Sequence, residues 1–456
     1  MTDPLLHEIA CAFDIDPTAM AEAPFRIVGD DALPSFFGVS SLAAKSIGMA
    51  GAMLWQFASG EASDPAAVIV DQRLASLWFG LSLRPIGWTL SPTWDSVAGD
   101  YRAKDGWIRL HTNAPHHRKR AMAVLGVVED REAVARAVAK WDAEALERAV
   151  VEAGGCAAMM RSFERWAAHP QGADVGKQPL IIWDEHNAIT PKPMASDQQR
   201  PLQGLRVLDL TRVLAGPAAT RFLASFGAEV LRIDPPDWDE TVAVQEMTLG
   251  KRCARLDLKI EDDRAVFEEI LAGADMLVHG YRAEALAGLG YGRDQRRALN
   301  PGLIDVSLNA YGWSGPWSDR RGFDSLVQMS SGLADYGMNK AAADRPFPLP
   351  VQALDHATGY LMAAAVLRAL ALRQREGRVL SARLSLARTA RLLANTKRET
   401  LSDGWRAETD DDVDRRLEET VWGSARRVKF SLSIEGFEPN WPHPAGPLGT
   451  SAPAWA

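Results

Sequence analysis

The sequence predicts an α/β fold: a Rossmann-like open sheet of parallel strands with helices on both faces, and a smaller α+β domain. Two observations support this prediction. After residue 200, short β-type runs such as "LRVLDL" and "EVLRID" alternate with segments of helical periodicity, which is typical of parallel βαβ units. Before residue 200, a hairpin pattern is followed by three short amphipathic segments, which indicates a separate α+β arrangement.

The N-terminal half is predicted from periodicity and turn residues. A helix is expected over 41–57, followed by a strand over 67–70 that leads into a helix. "GDYRAKDGWIRLHT" predicts two strands around the Asp105–Gly106 pair, which supplies the turn. Three amphipathic helices are then expected over 115–125, 131–140 and 143–153, and the last of them ends at a glycine pair.

The C-terminal half is predicted as strands that alternate with helices. The segment 190–204, "TPKPMASDQQRPLQG", is typical of a linker and places a domain boundary near residue 195. The expected domains are therefore residues 1–195, residues 196–395 and an irregular tail, 396–456. The expected strands are 205–210, 229–234, 275–280, 303–308 and 379–386; the expected helices are 218–227, 264–274, 282–290 and 356–372.

Composition excludes several classes of function. The 456 residues carry a net charge of −8 without a dominant basic stripe, so we expect no nucleic-acid partner. The longest apolar runs, 47–57 and 360–372, are too short to span a bilayer. Cys11, Cys156 and Cys253 lie far apart and form no metal-binding spacing, and the first thirty residues lack a basic leader pattern. We therefore expect a cytoplasmic protein without a metal or a disulfide framework.

Basic residues recur where the predicted strands end. Arg212 follows the first strand in "TRVLAGP", Lys251 and Arg252 lie in "LGKRCARLDLK", and Arg282 follows the third strand. The first of these loops holds one glycine, so a GxGxxG dinucleotide site is not indicated. Each residue alone is equally well explained as a solvated loop side chain. Together they indicate a polyphosphate ligand at the carboxyl ends of the strands.

Asp324 lies in "RRGFDSLVQMSSGL", at the start of a predicted apolar helix over 325–333. Residue type alone favours an N-cap role, because aspartate commonly caps helices. A second acid, Asp355, also precedes a predicted helix and is followed by His356. Asp355 is either a helix cap or a residue that supports the site without contacting the substrate, and His356 is expected to be structural.

Several of these segments together resemble the class III CoA-transferases. The similar blocks are "LRVLDLTRVLAGPAATRFLASFGAEVLRIDPP", "GKRCARLDLK", "ADMLVHGYR", "NPGLIDVSLNAYGWSGP" and "RGFDSLVQMSSGL", in the family's order, over residues 201–393. The resemblance implies that Asp324 is a catalytic nucleophile. It also implies that CoA is held by Arg212, Val213, Leu214, Ala215, Lys251, Arg252 and Arg282.

The resemblance further implies a reaction. CoA would move from an acyl-CoA thioester to a carboxylic acid through an aspartyl mixed anhydride and an aspartyl-CoA thioester. Acyl-CoA and carboxylate are then substrates, and no permanently bound cofactor or metal is expected. Phe323, Val327 and Met329 would supply an apolar pocket that protects the intermediates from water.

The order of the segments departs from the family pattern. "GDYRAKDGWIRLHT", "AKWDAEALERAVVEAGGCAA" and "ERWAAHPQG" resemble the family's small domain but precede the strand–helix half. The chain therefore resembles a rearranged or tandem-fused member. We expect a two-fold homodimer, whose chains can interlock, because the apolar segment 356–372 and the aromatic segment 430–455 offer much apolar surface.

Two other functions are compatible with this fold. The related α-methylacyl-CoA racemases have a histidine immediately before the corresponding aspartate, whereas this chain has Phe323 there. Since the proton-transferring imidazole is absent from that position, a racemase is disfavoured. The second alternative is a non-catalytic acyl-CoA-binding protein, against which the presence of Asp324 argues.

Overall fold

The computed structural model describes residues 3–15, 24–60, 66–186, 188–191, 199–240, 243–282 and 285–456. In chain order the helices are α1 Pro4–Cys11, α2 Val39–Ser59, α3 Gln72–Trp78, α4 Pro115–Leu125, α5 Arg131–Val138, α6 Ala143–Glu152, α7 Phe163–Ala168, α8 Pro170–Val175, α9 Ala215–Ser225, α10 Ala243–Met247, α11 Glu261–Ala272, α12 Arg293–Leu299, α13 Asp324–Ser330, α14 Leu333–Lys340, α15 Ala353–Glu376 and α16 Leu386–Ala394. The strands are β1 Arg26–Val28, β2 Val68–Asp71, β3 Leu83–Pro85, β4 Gly99–Arg102, β5 Trp107–Leu110, β6 Ala157–Met159, β7 Ile182–His186, β8 Arg206–Leu210, β9 Glu229–Asp234, β10 Lys251–Arg255, β11 Met276–His279, β12 Ile304–Asn309, β13 Val379–Ser385, β14 Glu418–Thr420, β15 Gly423–Arg427 and β16 Leu432–Ile434.

A seven-stranded sheet in the order β10-β9-β8-β11-β12-β13-β7 forms the centre of the fold. Its strands are parallel except β7, which pairs antiparallel with β13. This confirms the predicted α/β class. The strand order reverses between β8 and β11, and in such sheets a ligand crevice opens at the carboxyl ends of the strands beside the reversal.

The longest helix, α15, is buried over most of its length against α2 and α9. Gly359 permits the contact with α9, because a Cβ at this position would lie 2.2 Å from the carbonyl oxygen of Ala215. The predicted helix 356–372 is therefore present but longer. Its apolar surface is covered within the chain, so it does not supply the exposed surface from which we predicted a homodimer; the homodimer stays a prediction.

The core does not divide at the predicted boundary of 195, which itself lies outside the described residues. Helix α2 and strand β7 precede this boundary, yet α2 packs on α15 and β7 forms one edge of the main sheet. The smaller unit consists instead of β4–β5–β6 and helices α4 to α6 around a core of its own. The predicted hairpin around Asp105 is confirmed by the antiparallel pairing of β4 with β5.

The smaller unit packs on the helix that begins with Asp324. Cys156 and Ala158 from this unit share an apolar cluster with Leu326 and Met329 of α13. Arg320 reinforces the contact, because its guanidinium donates to the Ala157 carbonyl at 2.7 Å and to Glu147 Oε1 at 2.9 Å. The N-terminal unit and α13 therefore form one continuous body within a single chain.

The C-terminal segment differs from the predicted irregular tail. β14 and β15 pair with β3, and β16 pairs with β2, so this segment completes two small sheets begun by N-terminal strands. The three strands are only 3 to 5 residues long, which is too short for an alternating pattern to be recognised.

A second prediction is also wrong, because the helix expected over 282–290 is reduced to a short 3₁₀ turn, Ala287–Leu289. Residues 283–284 lie outside the described part.

A buried carboxylate joins the distant parts of the chain. Glu246 pairs with Arg221 of α9 and, at 3.1 Å, with Arg427 of β15. It also accepts the backbone amides of Ser82 and Leu83, each at 3.1 Å. Burial alone would raise the pKa of Glu246, but the two arginine charges lower it to about 2. Glu246 therefore stays ionised and holds the N-terminal, central and C-terminal segments together.

We predict that Glu246→Gln lowers the free energy of unfolding by about 3 kcal/mol, because it leaves two buried arginines without a counter-charge. Urea unfolding at neutral pH measures this change. The matched control is Glu132→Gln, which removes an 85% exposed carboxylate from an ion pair with Arg136 and should leave the unfolding midpoint unchanged. Equal midpoints for the two variants would contradict the assigned role of Glu246.

Candidate active site

A cavity of about 350 Å³ opens at the carboxyl ends of β8, β11 and β12. This is the position expected for a ligand crevice beside the reversal of strand order. The residues that line it include Arg212, Val213, Ala215, Trp238, Tyr281, Arg282, Asn309, His116, His117, Arg321, Phe323 and Asp355. Both the main sheet and the smaller N-terminal unit thus contribute to its wall.

Asp324 is the first residue of α13, but it does not cap that helix. Phe323 occupies the N-cap position, and α13 receives no hydrogen bond from a capping side chain. Instead, Asp324 Oδ2 accepts the amides of Leu354 at 2.8 Å and Asp355 at 3.0 Å. These amides belong to the first turn of α15, where backbone donors have no partner within the helix. The carboxylate therefore satisfies the N-terminus of a different helix from the predicted one.

Gln328 holds the other carboxylate oxygen. Its Nε2 donates to Asp324 Oδ1 at 2.5 Å. Its Oε1 accepts the amide of Leu349 at 2.8 Å, so the amide group can present only its NH₂ side to Asp324. Three donors thus fix a carboxylate whose residue is 0% exposed.

Burial sets the charge state of the two neighbouring acids. It raises the pKa of Asp324 to about 6, although the donors from Gln328, Asp355 and Leu354 oppose this rise. Burial and the nearby charge of Asp324 raise the pKa of Asp355 well above its usual range. The two acids therefore titrate as a pair, and the three donors to Asp324 favour placing the negative charge there rather than on Asp355. The N-terminal dipole of α15 favours this charge.

Asp324 lies directly behind the wall of the cavity. Its chain neighbour Phe323 and its hydrogen-bond partner Asp355 both line the cavity, whereas Asp324 itself is fully buried. The Phe323 ring stacks on His111, with ring centroids 3.7 Å apart and planes 6° apart. His111 Nδ1 lies 3.4 Å from Ser325 Oγ. Phe323 is therefore held in place by the smaller unit at the point where a substrate would approach Asp324.

Four of the predicted CoA-binding residues line the cavity: Arg212, Val213, Ala215 and Arg282. The guanidinium of Arg212 lies 4.3 Å from the ring centroid of Trp238 and 5.3 Å from that of Tyr281. Val213 has a φ of 65°, a conformation that β-branched residues rarely adopt. Its amide donates to Glu240 Oε1 at 2.8 Å. The loop after β8 is thus held in a strained form, as is common at binding sites.

The other predicted basic residues lie elsewhere. Lys251 is buried, and its Nζ pairs with Asp209 Oδ2 at 2.9 Å. Arg252 pairs with Glu229 at 3.1 Å and donates to the Ala454 carbonyl. Both residues begin the edge strand β10, whereas the cavity lies at the opposite ends of the strands. The four basic residues that the sequence placed at the carboxyl ends of the strands therefore do not lie together in the structure.

Leu214 is the N-cap residue of α9 and is not part of the cavity wall. His116, His117 and Arg321 were not identified from the sequence, although each lines the cavity. The adjacent histidines in "NAPHHRKR" were the available signal. Their significance depends on how the smaller unit packs against α13, and local sequence does not show that contact.

The part of the chain that the structure describes contains neither a metal-binding cluster nor a membrane-spanning helix. No group of three or more His, Cys, Asp or Glu side chains in these ranges is arranged to hold a metal ion. No helix among them combines the length and the apolar character needed to cross a bilayer.

Residues 202–416 match the family model "CoA-transferase family III". This segment belongs to CoA-transferase family III. The resemblance stated for residues 201–393 is thereby confirmed, and the match extends into the C-terminal segment. The family III segment contains Asp324, Asp355, Arg212 and Arg282, whereas His116 and His117 lie outside it.

Two relatives and one solved structure are similar to parts of this chain. The acetyl-coenzyme A transferase nodX of Hypoxylon pulicicidum is 31% identical over 312 residues, which are 62% of this chain and 51% of that protein. The succinate–glutarate CoA-transferase of Agrobacterium fabrum is 31% identical over 229 residues, 46% of this chain and 56% of the relative. The chain thus spans about half the length of each relative. The crystal structure of Rv3272 from Mycobacterium tuberculosis matches with a TM-score of 0.40 and 31% identity, over 43% of this chain and 58% of that one.

We predict that the Asp324 carboxyl ionises near pH 6, because burial disfavours its charged form. Infrared difference spectra against Asp324→Asn should show its carboxylate band appearing as the pH rises through that value. Since the folded pKa lies above the unfolded one, ionisation of Asp324 lowers stability as the pH rises from about 4 to about 6. Asp355→Asn should retain this titration. A midpoint near pH 4 would show that the carboxyl is solvated.

Proposed function

We propose that this chain transfers CoA from an acyl-CoA thioester to a carboxylic acid, with Asp324 as the covalent nucleophile. One observation carries the proposal: a buried, three-donor carboxylate with a raised pKa lies behind the wall of a cavity that presents Arg212 and Arg282. The names of the relatives support the same reaction class, since both are CoA-transferases.

The proposed reaction needs only the carboxylate and the two substrates. An Asp324 oxygen bonds to the thioester carbonyl carbon, the C–S bond breaks, and CoA leaves as a thiolate with the electron pair. The thiolate then attacks the aspartyl carbonyl of the mixed anhydride, which releases the first acid and leaves an aspartyl-CoA thioester. An incoming carboxylate reverses the two steps, so the covalent intermediates divide one difficult exchange into easier steps.

The donors that hold Asp324 also suit these steps. When the thiolate attacks the aspartyl carbonyl, negative charge develops on its oxygen. The amides of Leu354 and Asp355 already point at Oδ2, so they are placed to stabilise that charge without rearrangement. Because Asp324 is fully buried, the proposal includes a displacement of the Phe323 ring as the thioester approaches.

For CoA itself we propose a site formed by Arg212, Arg282 and the loop that leads into α9. Arginine pairs well with phosphate, and the N-terminus of the 11-residue helix α9 favours anions. In the free chain, Glu240 accepts the Val213 amide, so phosphate binding at this amide would displace Glu240. Lys251 and Arg252 are no longer part of the proposed CoA site.

The alternatives are less well supported. A racemase would need an imidazole in place of Phe323, and the nearby His111 is stacked against that ring rather than open to the cavity. A non-catalytic binding protein would have no need for a buried carboxylate held by Gln328. The packing of the smaller unit on α13 leads us to propose that one chain holds one complete site, whether or not two chains associate.

We predict that Asp324→Asn lowers the turnover number by at least about a thousandfold, because an amide is a poor nucleophile. Exchange of isotopically labelled CoA into a panel of acyl-CoA esters measures the rate. For the unmodified chain, kcat/KM should fall tenfold per pH unit below about pH 6, as the nucleophile is protonated.

Asp319→Asn is the matched control, since Asp319 is an exposed acid on the loop that precedes Asp324. It should retain full exchange. Exchange by Asp324→Asn at a rate near that of the control would defeat the proposal. Incorporation of solvent deuterium at the α-carbon of the acyl group, without CoA exchange, would favour the racemase.

A second prediction concerns CoA binding. Arg212→Gln and Arg282→Gln should each weaken CoA binding by about tenfold or more, the usual effect of losing a hydrogen bond to a charged group. The loss should shrink at high salt. Titration calorimetry with CoA measures the affinities. Arg252→Gln serves as the control and should bind CoA normally; a comparable loss in this variant would return Arg252 to the site.

A further inference from the structure

His117 is the third residue of α4 and lines the cavity. The residue is only 4% exposed, and neither ring nitrogen has a hydrogen-bond partner among the described residues. Buried polar groups are normally paired, because an unpaired one loses its hydration without compensation. An unpartnered imidazole in a cavity wall therefore indicates a hydrogen bond that forms with a ligand.

The imidazole lies at the Asp324 end of the cavity. Its ring packs edge-to-face against Phe323, with centroids 6.0 Å apart. Phe323 directly precedes Asp324 and lines the cavity beside it. A group that approaches Asp324 past the Phe323 ring therefore comes next to His117.

The surroundings keep this imidazole neutral. Burial, together with the neighbouring His116, Arg321 and Arg120, lowers the pKa of His117 to about 3. Around neutral pH the ring therefore carries one N–H donor and one acceptor nitrogen. A neutral donor can polarise a carbonyl group without transferring its proton, and it does not attract the Asp324 carboxylate into an ion pair.

We propose that His117 donates a hydrogen bond to the acyl oxygen of the thioester that Asp324 attacks. This inference rests on the proposed transferase function. As the Asp324 oxygen bonds to the carbonyl carbon, the carbonyl electron pair moves onto the acyl oxygen, where the N–H stabilises it. The pair then returns, the C–S bond breaks and CoA thiolate leaves; the imidazole keeps its proton throughout.

The assignment gives the smaller N-terminal unit a chemical role. His117 lies outside the family III segment, in the unit that packs on α13 through Cys156 and Ala158. The cavity wall would then combine a nucleophile from the C-terminal half with an acyl-oxygen donor from the N-terminal half. Docking of the two parts would assemble the site as well as stabilise the fold.

The test compares His117→Ala and His117→Gln by labelled-CoA exchange and by calorimetric binding of free CoA, which lacks an acyl oxygen. His117→Ala should lower kcat about 100-fold, the usual effect of losing one such donor, while free CoA binds within twofold of normal. His117→Gln should recover at least tenfold of this loss, because its amide N–H can donate. The acid limb of the pH profile should not move. His443→Gln, on the exposed C-terminal segment, is the control and should behave as the unmodified chain.

Several outcomes would overturn the assignment. A kcat for His117→Ala within threefold of normal would show that the imidazole does not contact the reacting group. Loss of free-CoA binding in parallel with activity, and no recovery by His117→Gln, would show a structural role only. Inactivity of the unmodified chain with every ester would defeat the proposed function and this assignment together. Activity that depends on Asp324 but not on His117 would defeat the assignment alone.

Discussion

The contact between Asp324 and the N-terminus of α15 is the interaction on which the site depends. A buried carboxylate is costly unless donors surround it, and here two first-turn amides of α15, which have no partner within the helix, provide two of them. Their position is set by the packing of a 24-residue helix against α2 and α9. The carboxylate at the site is therefore held by the buried helix α15 together with Gln328 of its own helix.

The same core explains why distant segments of the chain are needed. Helix α2, from the N-terminal part, covers α15, and the C-terminal strands complete sheets begun near residues 68 and 83. Glu246 links these parts, because its buried carboxylate and the buried guanidinium groups of Arg221 and Arg427 compensate one another's charge. A chain without α2 would leave α15 partly uncovered, and a chain without β15 would leave Glu246 without Arg427.

Sequence reasoning identified the parts of the site that follow from local pattern. The strands after residue 200 and the placement of Arg212 and Arg282 at strand ends follow from periodicity and the geometry of parallel sheets. Asp324 was selected from the family resemblance, since residue type alone favoured an N-cap role. The sequence did not predict that Lys251 and Arg252 begin a strand, because "KRCAR" has no clear alternation. In the structure these residues form β10 by pairing with β9. Sequence reasoning missed β7 and His117 because both depend on contacts between residues far apart in the chain.

The most direct measurement of the central claim is the site of covalent attachment. The chain would be mixed with an acyl-CoA and quenched in acid, and its peptides would be analysed by mass spectrometry. We predict a CoA adduct, linked as a thioester, on the peptide that contains Asp324, and its loss on addition of a carboxylate acceptor before the quench. Active exchange with no adduct on that peptide, or an adduct on a different acid, would contradict the account.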